Sequence, residues 1–343
     1  MKGEDKHPQK LSFDLGLEFI DKNQSSDNWF LQLEVFDPHE PFFAPDSFRK
    51  LYPDDYTGPH FDWPNYKRVS EAPEEIEHVK NEYRSLLSFC DYNLGRLLDK
   101  MDALGLWEDT LLIVNTDHGF LLGEHDWWAK CVMPFYNEIA HTPLFVWDPR
   151  FPQTAGQRRN SLVQTIDLAP SVLSFFGMQI PPDMQGKPLE NIIKDDTPIH
   201  KAVLYGIHGG HVNCTDGRYV YMRASAAREN SPLYNYTLMP MHMRERFSLK
   251  ELRNAELCKP FSFTKGCGVL KIPSGGIPEL NFSSYDYGTM LFDLSNDPGQ
   301  ENPIRDAEAE KRMIELMTEL MKENDAPDDQ YIRLGLTQKG AKR

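Results

Sequence analysis

Short apolar runs alternate with amphipathic helical patterns along the first half of the chain. The run at residues 111–114 is unbroken and bounded by polar residues, which is typical of a strand buried on both faces. Similar runs at residues 29–36 and 143–147 predict two more strands. Over residues 73–104 apolar side chains recur at helical spacing, acidic residues fill the first turn and Gly105 follows, which predicts a long helix. Alternating strands and helices predict an α/β fold with a mostly parallel sheet flanked by helices.

The pattern of predicted secondary structure changes near residue 198. Residues 166–177 predict one more helix that a glycine closes. Beyond it, short strand-like pieces separated by Gly, Pro and Asn lie at residues 202–207, 219–222 and 290–294. Residues 304–322 carry apolar side chains on one stripe, which predicts a closing amphipathic helix. We therefore expect an α/β part over residues 1–198 and a smaller α+β subdomain with a closing helix over residues 199–343.

Charge and composition argue against several classes of protein. The chain holds 37 Lys and Arg against 52 Asp and Glu, a net charge of −15 without a basic stripe, so nucleic-acid binding is not expected. No run approaches the ~18 apolar residues that span a bilayer, and no apolar segment follows the first charged residues, so neither a membrane nor export is expected. The five cysteines include no CxxC pair, which favours a reducing compartment, and we expect a cytoplasmic protein.

Chemistry-bearing residues concentrate at the ends of predicted strands. Asp117 and His118 are adjacent where one strand ends, so a carboxylate and an imidazole can reach one divalent cation; the alternative is a polar turn in which Asp117 caps the next element. Lys130 follows in the same segment and can place an ammonium near an oxyanion, unless it is a surface lysine. His39 follows another predicted strand, and ligands of α/β folds bind beyond the carboxyl ends of strands; the alternative is a hydrogen-bonded loop histidine.

Four ordered segments resemble the sulfatases of the alkaline-phosphatase-like superfamily. The run T-D-H-G-x-x-L-G-E-H-x-x-W-x-K at residues 116–130 carries most of the resemblance. The upstream F-D-P-H-E-P-F and the downstream Q-T-I-D-L-A-P-S and G-K-P-L resemble further segments of the family in the right order. Residues 291–298 resemble its C-terminal subdomain, so the similarity covers nearly the whole chain. The resemblance implies an alkaline-phosphatase-like fold.

The resemblance also implies roles for five side chains. Asp117 and His118 would ligate a divalent cation, most readily calcium, with magnesium or manganese as alternatives. Lys130 would bind a sulfate oxygen, and His39 would bind the sulfate and help to protonate the leaving alkoxide. His125 would rim the substrate pocket.

One element of the family pattern is missing from these residues. The nucleophile of the family is a Cys or Ser in C/S-x-P-x-R that is converted to formylglycine. None of the five cysteines and no serine of this chain heads such a motif, and the acidic pair of the family's first strand is absent too. We therefore expect an incomplete fold, the C-terminal portion of a sulfatase, whose partner is a missing N-terminal part of the same fold. The isolated chain is expected to be inactive or nearly so.

The expected function is that of a sulfuric ester hydrolase acting on a small-molecule sulfate ester with a divalent metal and a formylglycine nucleophile. Hydrolysis of phosphonate monoesters or phosphodiesters uses nearly the same ligands and is the first alternative. A non-catalytic sulfatase-like remnant is the second.

Overall fold

The computed structural model describes residues 6–239, 241–242, 245–275 and 283–336. The helices are α1 (Pro8–Asn23), α2 (Asp46–Arg49), α3 (Pro73–Leu104), α4 (Asn137–Ala140), α5 (Leu168–Phe175), α6 (Glu190–Asp195), α7 (Leu249–Leu252), α8 (Ser284–Tyr287), α9 (Ala307–Glu323) and α10 (Asp328–Arg333). The strands are β1 (Leu112–Asn115), β2 (Leu121–Leu122), β3 (Trp128–Ala129), β4 (Leu144–Trp147), β5 (Val203–Gly206), β6 (Val212–Thr215), β7 (Tyr219–Arg223), β8 (Tyr234–Thr237), β9 (Glu256–Cys258), β10 (Val269–Pro273) and β11 (Met290–Asp293).

The chain divides into two compact units. Unit 1 comprises Met1–Asn115, Phe120–Lys130 and Pro143–Ala155. Unit 2 comprises Thr116–Gly119, Cys131–Thr142 and Gly156–Arg343. The chain therefore passes from one unit to the other within the motif at residues 116–130. The domain boundary expected after residue 198 stays a prediction.

The long helix predicted at residues 73–104 is confirmed as α3. Its N-terminus is capped by Glu75, whose Oε2 accepts a hydrogen bond of 2.9 Å from the backbone N–H of Ala72, and Gly105 ends it in the left-handed region at φ +66°. The buried stripe of the helix packs into the core of unit 1. That core also contains Phe42 and Trp128, which are fully buried.

The strands predicted at residues 111–114 and 143–147 are confirmed as β1 and β4, but their pairing differs from the expectation. They run antiparallel, with Leu112 opposite Trp147 and Asn115 opposite Leu144. Every strand pair among the described residues is antiparallel, so the predicted mostly parallel sheet is not confirmed. The reason is that a continuous apolar run indicates burial, whereas the direction of the neighbouring strand depends on contacts distant in sequence. Even the burial is partial, since Phe145 of β4 is 67% exposed.

Residues 29–36 form no strand among the described residues, so this predicted strand is wrong, although half-buried and exposed residues alternate along them. The side chains of Leu31 and Leu33 are half-buried and lie against Gly16 of α1, while Phe30 and Phe36 point to solvent. The alternation of apolar positions thus reflects an extended backbone with one covered face. A strand additionally needs a hydrogen-bonded neighbour, and no such neighbour lies along these described residues.

Unit 2 contains a four-stranded antiparallel sheet in the order β11-β7-β6-β5. The strands predicted at residues 202–207, 219–222 and 290–294 are confirmed as β5, β7 and β11, and the closing helix is confirmed as α9. Met313 and Met317 of α9 are fully buried against Cys214 and Tyr221 of the sheet. A second sheet of three strands has the order β8-β10-β9.

Within the part of the chain that the structure describes, no helix has both the length and the apolar character needed to cross a bilayer.

Candidate active site

A tight hairpin of β2 and β3 determines where Lys130 lies in unit 1. The backbone N–H of Gly123 donates a hydrogen bond of 3.0 Å to the carbonyl of Trp127, and its φ of +107° is a conformation that favours glycine. On either side of Lys130, Ala129 and Cys131 have φ values of +76° and +79°. Such angles are unfavourable for residues with a Cβ and are concentrated at functional sites, so the local backbone supports Lys130 as a candidate functional residue.

Lys130 is buried and has an acidic neighbour. The residue is 7% exposed, and its Nζ lies 3.7 Å from Oε2 of Glu40. The side chain of Glu40 is fully buried, and its other oxygen, Oε1, accepts a hydrogen bond from the hydroxyl of Tyr66. A charge is removed from water only at high cost unless an opposite charge lies nearby. Lys130 is therefore not the surface lysine that the sequence left open.

His39 shares the same carboxylate. Its Nδ1 lies 2.5 Å from the carbonyl oxygen of Glu40 and 3.4 Å from Oε2 of that residue. Because a carbonyl oxygen can only accept, Nδ1 carries the proton, and Nε2 is the nitrogen that can exchange a proton with a substrate. The imidazole is 30% exposed and its ring centroid lies 4.8 Å from that of Phe36.

Glu40 is thus a member of the site that the sequence did not single out. It lies between His39 and Lys130, and its Oε2 accepts no hydrogen bond within the described residues. An acidic residue directly after a candidate catalytic histidine was the available signal. Its burial, however, depends on Tyr66 and Lys130, which are distant in sequence.

Asp37 adds a second carboxylate to this part of unit 1. Its Oδ2 lies 3.6 Å from Nδ1 of His7. Burial raises the pKa of the Asp37 carboxyl, and the nearby His7 and His39 oppose that increase.

Asp117 and His118 form a pair in unit 2. Oδ1 of Asp117 accepts a hydrogen bond of 2.9 Å from the backbone N–H of His118, and Oδ2 lies 3.5 Å from Nε2 of the imidazole. Nδ1 of His118 lies 2.9 Å from the carbonyl oxygen of Gly119, to which it can only donate. The lone pair is therefore on Nε2, next to the carboxylate, as a metal-ligating histidine requires.

Only glycine fits at position 119, directly after this pair. Its backbone N–H donates a hydrogen bond of 2.8 Å to the carbonyl of Ile139. A Cβ at this position would lie 1.8 Å from the carbonyl oxygen of Glu138, which is far inside any possible contact. The absence of a side chain at residue 119 therefore lets the backbone directly after Asp117 and His118 approach that of α4.

Asp117 and His118 are suitable types of ligand for a divalent cation, but two side chains are fewer than such an ion needs. The carboxylate of Asp117 is 83% exposed and the imidazole of His118 is 39% exposed, so both can reach an ion. Calcium takes about six to eight ligands, mostly oxygens, and these residues supply two. No group of three or more His, Cys, Asp or Glu side chains that could hold a metal exists among the described residues.

His125 lies in the turn of the β2–β3 hairpin. Its backbone has a φ of +53°, and its carbonyl oxygen accepts a hydrogen bond of 3.1 Å from Nη1 of Arg68. The expectation that His125 rims a substrate pocket stays a prediction. Overall the structure groups His39 with Lys130 in unit 1 and Asp117 with His118 in unit 2.

Comparison with a solved structure identifies the class of fold. The phosphonate monoester hydrolase SpPMH from Silicibacter pomeroyi superposes with a TM-score of 0.62 at 18% identity, over 100% of this chain and 64% of that chain. The chain thus shares the fold of that hydrolase.

Comparison with sequence families identifies the family within that class. The sequence model of the Sulfatase family matches residues 4–178, about half of the chain. That of the N-sulphoglucosamine sulphohydrolase C-terminal region matches residues 123–251. The chain belongs to the sulfatase family.

Two relatives in sequence are also named as sulfatases. An arylsulfatase of Clostridium perfringens is 24% identical over 221 residues, which are 60% of this chain and 46% of that protein. An N-acetylglucosamine-6-O-sulfatase of Bacteroides thetaiotaomicron is 32% identical over 137 residues, 38% of this chain and 24% of that protein. The chain therefore spans less than half the length of these relatives.

Proposed function

We propose that the protein to which this chain belongs is a sulfuric ester hydrolase that acts on small-molecule sulfate esters. Membership of the sulfatase family supports the reaction. The observation that carries the proposal in the structure is the buried cluster of Lys130, Glu40 and His39. The names of the relatives indicate aryl sulfates and 6-O-sulfated N-acetylglucosamine as the first substrates to try.

Lys130 is proposed to bind a sulfate oxygen. The residue is 7% exposed, so the charge of its ammonium is screened less by water than that of a surface lysine. Glu40 compensates the charge when no substrate is present and holds the ammonium in place. A fixed positive charge of this kind stabilises the negative charge on the oxygens as the ester bond breaks.

His39 is proposed to donate a proton to the leaving alkoxide. The carbonyl of Glu40 fixes the imidazole through Nδ1, which leaves Nε2 as the nitrogen that meets the substrate. In the protonated ring Nε2 is a donor, and its partial exposure allows it to regain a proton from water after each turnover.

Asp117 and His118 are proposed to hold a divalent cation, with calcium as the first candidate and magnesium or manganese as alternatives. A bound cation would reduce the negative charge on the sulfate oxygens and favour a nucleophilic oxygen anion. The remaining ligands would come from outside these residues. We expect Asp117→Ala to lose the metal from the completed protein. Equal metal content in wild type and variant, measured by atomic emission, would instead show that Asp117 is only a turn residue.

The nucleophile is proposed to come from a further segment of the same fold. No Cys or Ser in these 343 residues heads C/S-x-P-x-R. Burial raises the pKa of Cys90 and of Cys214 to about 12, so neither thiol supplies a thiolate at neutral pH. We therefore propose that a formylglycine lies outside this chain and that the chain alone has no more than trace activity.

Hydrolysis of phosphonate monoesters is the second candidate reaction. The observation in its favour is the likeness of SpPMH, which extends over the whole of this chain. The third candidate is not an enzyme: it is a sulfatase-like remnant that keeps the fold without catalytic activity.

The decisive experiment compares the 343-residue chain with the product of the same gene expressed together with its upstream coding sequence. Both are assayed on 4-nitrophenyl sulfate and on a 4-nitrophenyl phosphonate monoester with calcium present. We expect the longer product to hydrolyse the sulfate and the chain to remain below enzyme-like rates of about 1 per second. A preference for the phosphonate would favour the second reaction, and no turnover of either would favour the remnant. Enzyme-like turnover by the chain itself would contradict the proposed location of the nucleophile.

A further inference from the structure

The turn that follows β11 holds a buried glutamine in an unusual backbone conformation. Gln300 is 2% exposed, and its φ of +53° lies in the left-handed region that favours glycine. Its backbone N–H donates a hydrogen bond of 3.1 Å to the carbonyl of Asp297, which closes the turn. A turn of this shape needs no side chain at residue 300. The glutamine therefore indicates a role for its amide group.

The amide oxygen of Gln300 binds the first residue of α4. Oε1 accepts a hydrogen bond of 2.6 Å from the backbone N–H of Asn137, across 163 positions of sequence. The first N–H groups of a helix have no acceptor within the helix, so Gln300 supplies one from another segment. Because an N–H can only donate, Oε1 and not Nε2 faces Asn137, and the orientation of the amide is thereby fixed.

The amide nitrogen of Gln300 makes no comparable contact. Nε2 is buried and has no hydrogen-bond partner in the part of the chain that the structure describes. A buried donor without a partner is unfavourable, and so is a positive φ at a residue with a Cβ. Both features are tolerated at a residue whose side chain makes one hydrogen bond, the one that holds the start of α4.

The other contact of α4 is with the segment that carries the candidate metal pair. The carbonyl of Ile139 accepts a hydrogen bond of 2.8 Å from the backbone N–H of Gly119, and a Cβ at residue 119 would lie 1.8 Å from the carbonyl oxygen of Glu138. The carbonyl of Gly119 in turn accepts the bond from Nδ1 of His118. A displacement of α4 would therefore move the backbone group that orients the imidazole.

An aromatic contact also holds α4, but it leaves the direction of the helix open. The ring of Tyr136, directly before α4, lies edge to face with that of Phe292 in β11, with the centroids 6.4 Å apart. Apolar contact is not directional, whereas a hydrogen bond is. The bond from Gln300 is therefore the contact that can fix how α4 presents its carbonyls to Gly119. All these residues belong to unit 2.

We propose that Gln300 is a positioning residue for the Asp117–His118 pair. By holding the first residue of α4, it fixes the backbone against which Gly119 rests, and with it the imidazole of His118. Gln300 itself touches neither cation nor substrate. The part of the inference that concerns metal affinity rests on the proposed cation site, whereas the mechanical connection from Gln300 to Gly119 does not.

The first test measures hydrogen exchange in the 343-residue chain by mass spectrometry. Gln300→Met keeps an unbranched side chain of similar length and removes the acceptor of the Asn137 N–H. The peptide that contains Gly119 should exchange about tenfold faster relative to peptides of β7, the strand between β11 and β6. Normalising to β7 removes any effect of a general loss of stability.

Ser171→Ala is the matched control for this substitution. Ser171 is also buried, and its Oγ accepts a hydrogen bond of 2.9 Å from the backbone N–H of Leu189, directly before the short helix α6. The control therefore removes an equivalent buried acceptor in the same unit. It should leave the exchange of the Gly119 peptide unchanged relative to β7.

The second test measures calcium affinity by calorimetry in the longer gene product that includes the upstream sequence. Gln300→Met should weaken calcium binding about tenfold, the lower end of the effect of removing groups that orient metal ligands. Gln300→Glu keeps an acceptor for Asn137, so its calcium affinity should stay within a few-fold of wild type. Its stability should nevertheless fall, because it buries a charge. Ser171→Ala should bind calcium as wild type does.

Two results would overturn the proposal. One is exchange of the Gly119 peptide that follows β7 in Gln300→Met as it does in wild type. The other is an equal loss of calcium affinity in Gln300→Met and Ser171→Ala, which would assign the effect to general destabilisation. A wild-type product that binds no calcium would instead contradict the proposed cation site, and the exchange comparison alone would then decide whether Gln300 holds the segment.

Discussion

The carboxylate of Glu40 connects the two candidate catalytic side chains of unit 1. It is fully buried, with Lys130 and His39 at 3.7 Å and 3.4 Å from the same oxygen. Groups of this kind are stable together because their charges compensate, and removal of one leaves the others buried without a counter-charge. The arrangement therefore makes separate predictions for folding and for catalysis.

The first prediction concerns folding and can be tested with the chain alone. Glu40→Gln is expected to lower the free energy of unfolding by about 1–3 kcal/mol, because Lys130 loses its counter-charge while Tyr66 keeps an acceptor. In a Lys130→Met background the same substitution should be neutral or stabilising, since no buried cation remains. Urea unfolding of the four proteins of this double-mutant cycle measures the coupling. Equal effects of Glu40→Gln in both backgrounds would show that the two side chains do not interact.

The second prediction separates His39 from Lys130 in the completed enzyme. Protonation matters most when the leaving alcohol is a poor leaving group, so His39→Ala should slow hydrolysis of alkyl sulfates more than that of nitrophenyl sulfates. Lys130 is proposed to meet the sulfate group that every substrate shares. Its loss should therefore reduce kcat/KM by about 10²–10³ regardless of the leaving group.

The measurement is kcat/KM for a series of sulfate esters with leaving groups of different pKa. If both variants show the same flat dependence, His39 is not the general acid.

Among the elements, the contact between the Asp117-His118-Gly119 segment and α4 is the tightest backbone approach near a candidate residue. Gly119→Ala would place a methyl group 1.8 Å from a carbonyl oxygen, so the segment must move. We expect a loss of stability of about 2 kcal/mol or more, together with weaker metal binding in the completed protein. Thermal and urea unfolding test the first effect.

Gly95→Ala is the matched control for that substitution. Gly95 lies inside α3, and a Cβ there would meet nothing within 4 Å. Alanine is favoured over glycine in a helix, so the control should gain up to about 1 kcal/mol. A Gly119→Ala variant as stable as wild type would show that the segment has room to adjust.

Elements with a strong local pattern could be predicted from the sequence, and those that depend on distant contacts could not. α3 has a continuous apolar stripe and clear end signals. α1 was missed because two of its four buried residues, Gln9 and Gly16, are not apolar, although Phe13 and Ile20 complete the helical spacing. Likewise, the pattern of residues 29–36 predicts an extended backbone but cannot supply the neighbour that a strand needs.

The same limit applies to the candidate site. His39, Asp117, His118 and Lys130 could be selected because each belongs to a recognisable motif. Glu40 follows His39 in the same motif, but its role could not be predicted, because that role follows from burial next to Lys130, which lies in another segment of the sequence. Burial of this kind depends on the packing of the whole unit.

For the molecule as a whole, the lowered pKa of His211 makes the free energy of unfolding depend on pH. It is buried, its Nε2 contacts the carbonyl oxygen of Gly288 at 2.9 Å, and burial lowers its pKa from the ordinary 6.5 to about 4. Below pH 6.5 the unfolded chain binds a proton that the folded chain does not. The contribution of His211 is therefore complete above pH 6.5 and is lost as the pH falls toward 4, by about 3 kcal/mol in all.

Urea unfolding at pH 7.5 and at pH 4.5 measures this change. His211→Asn removes the titrating group, so the variant should lose less stability between the two pH values than wild type does. An identical decrease in both proteins would assign the pH dependence to other groups.

The extended segment at residues 29–36 has a consequence for the behaviour of the purified chain. Its backbone donors and acceptors belong to no ladder in the described residues, and Phe30 and Phe36 are 58% and 80% exposed beside it. A stretch of this kind is a template onto which another chain can add a strand. Self-association should therefore rise steeply with protein concentration, and dilute samples are the appropriate starting point for spectroscopy and crystallisation.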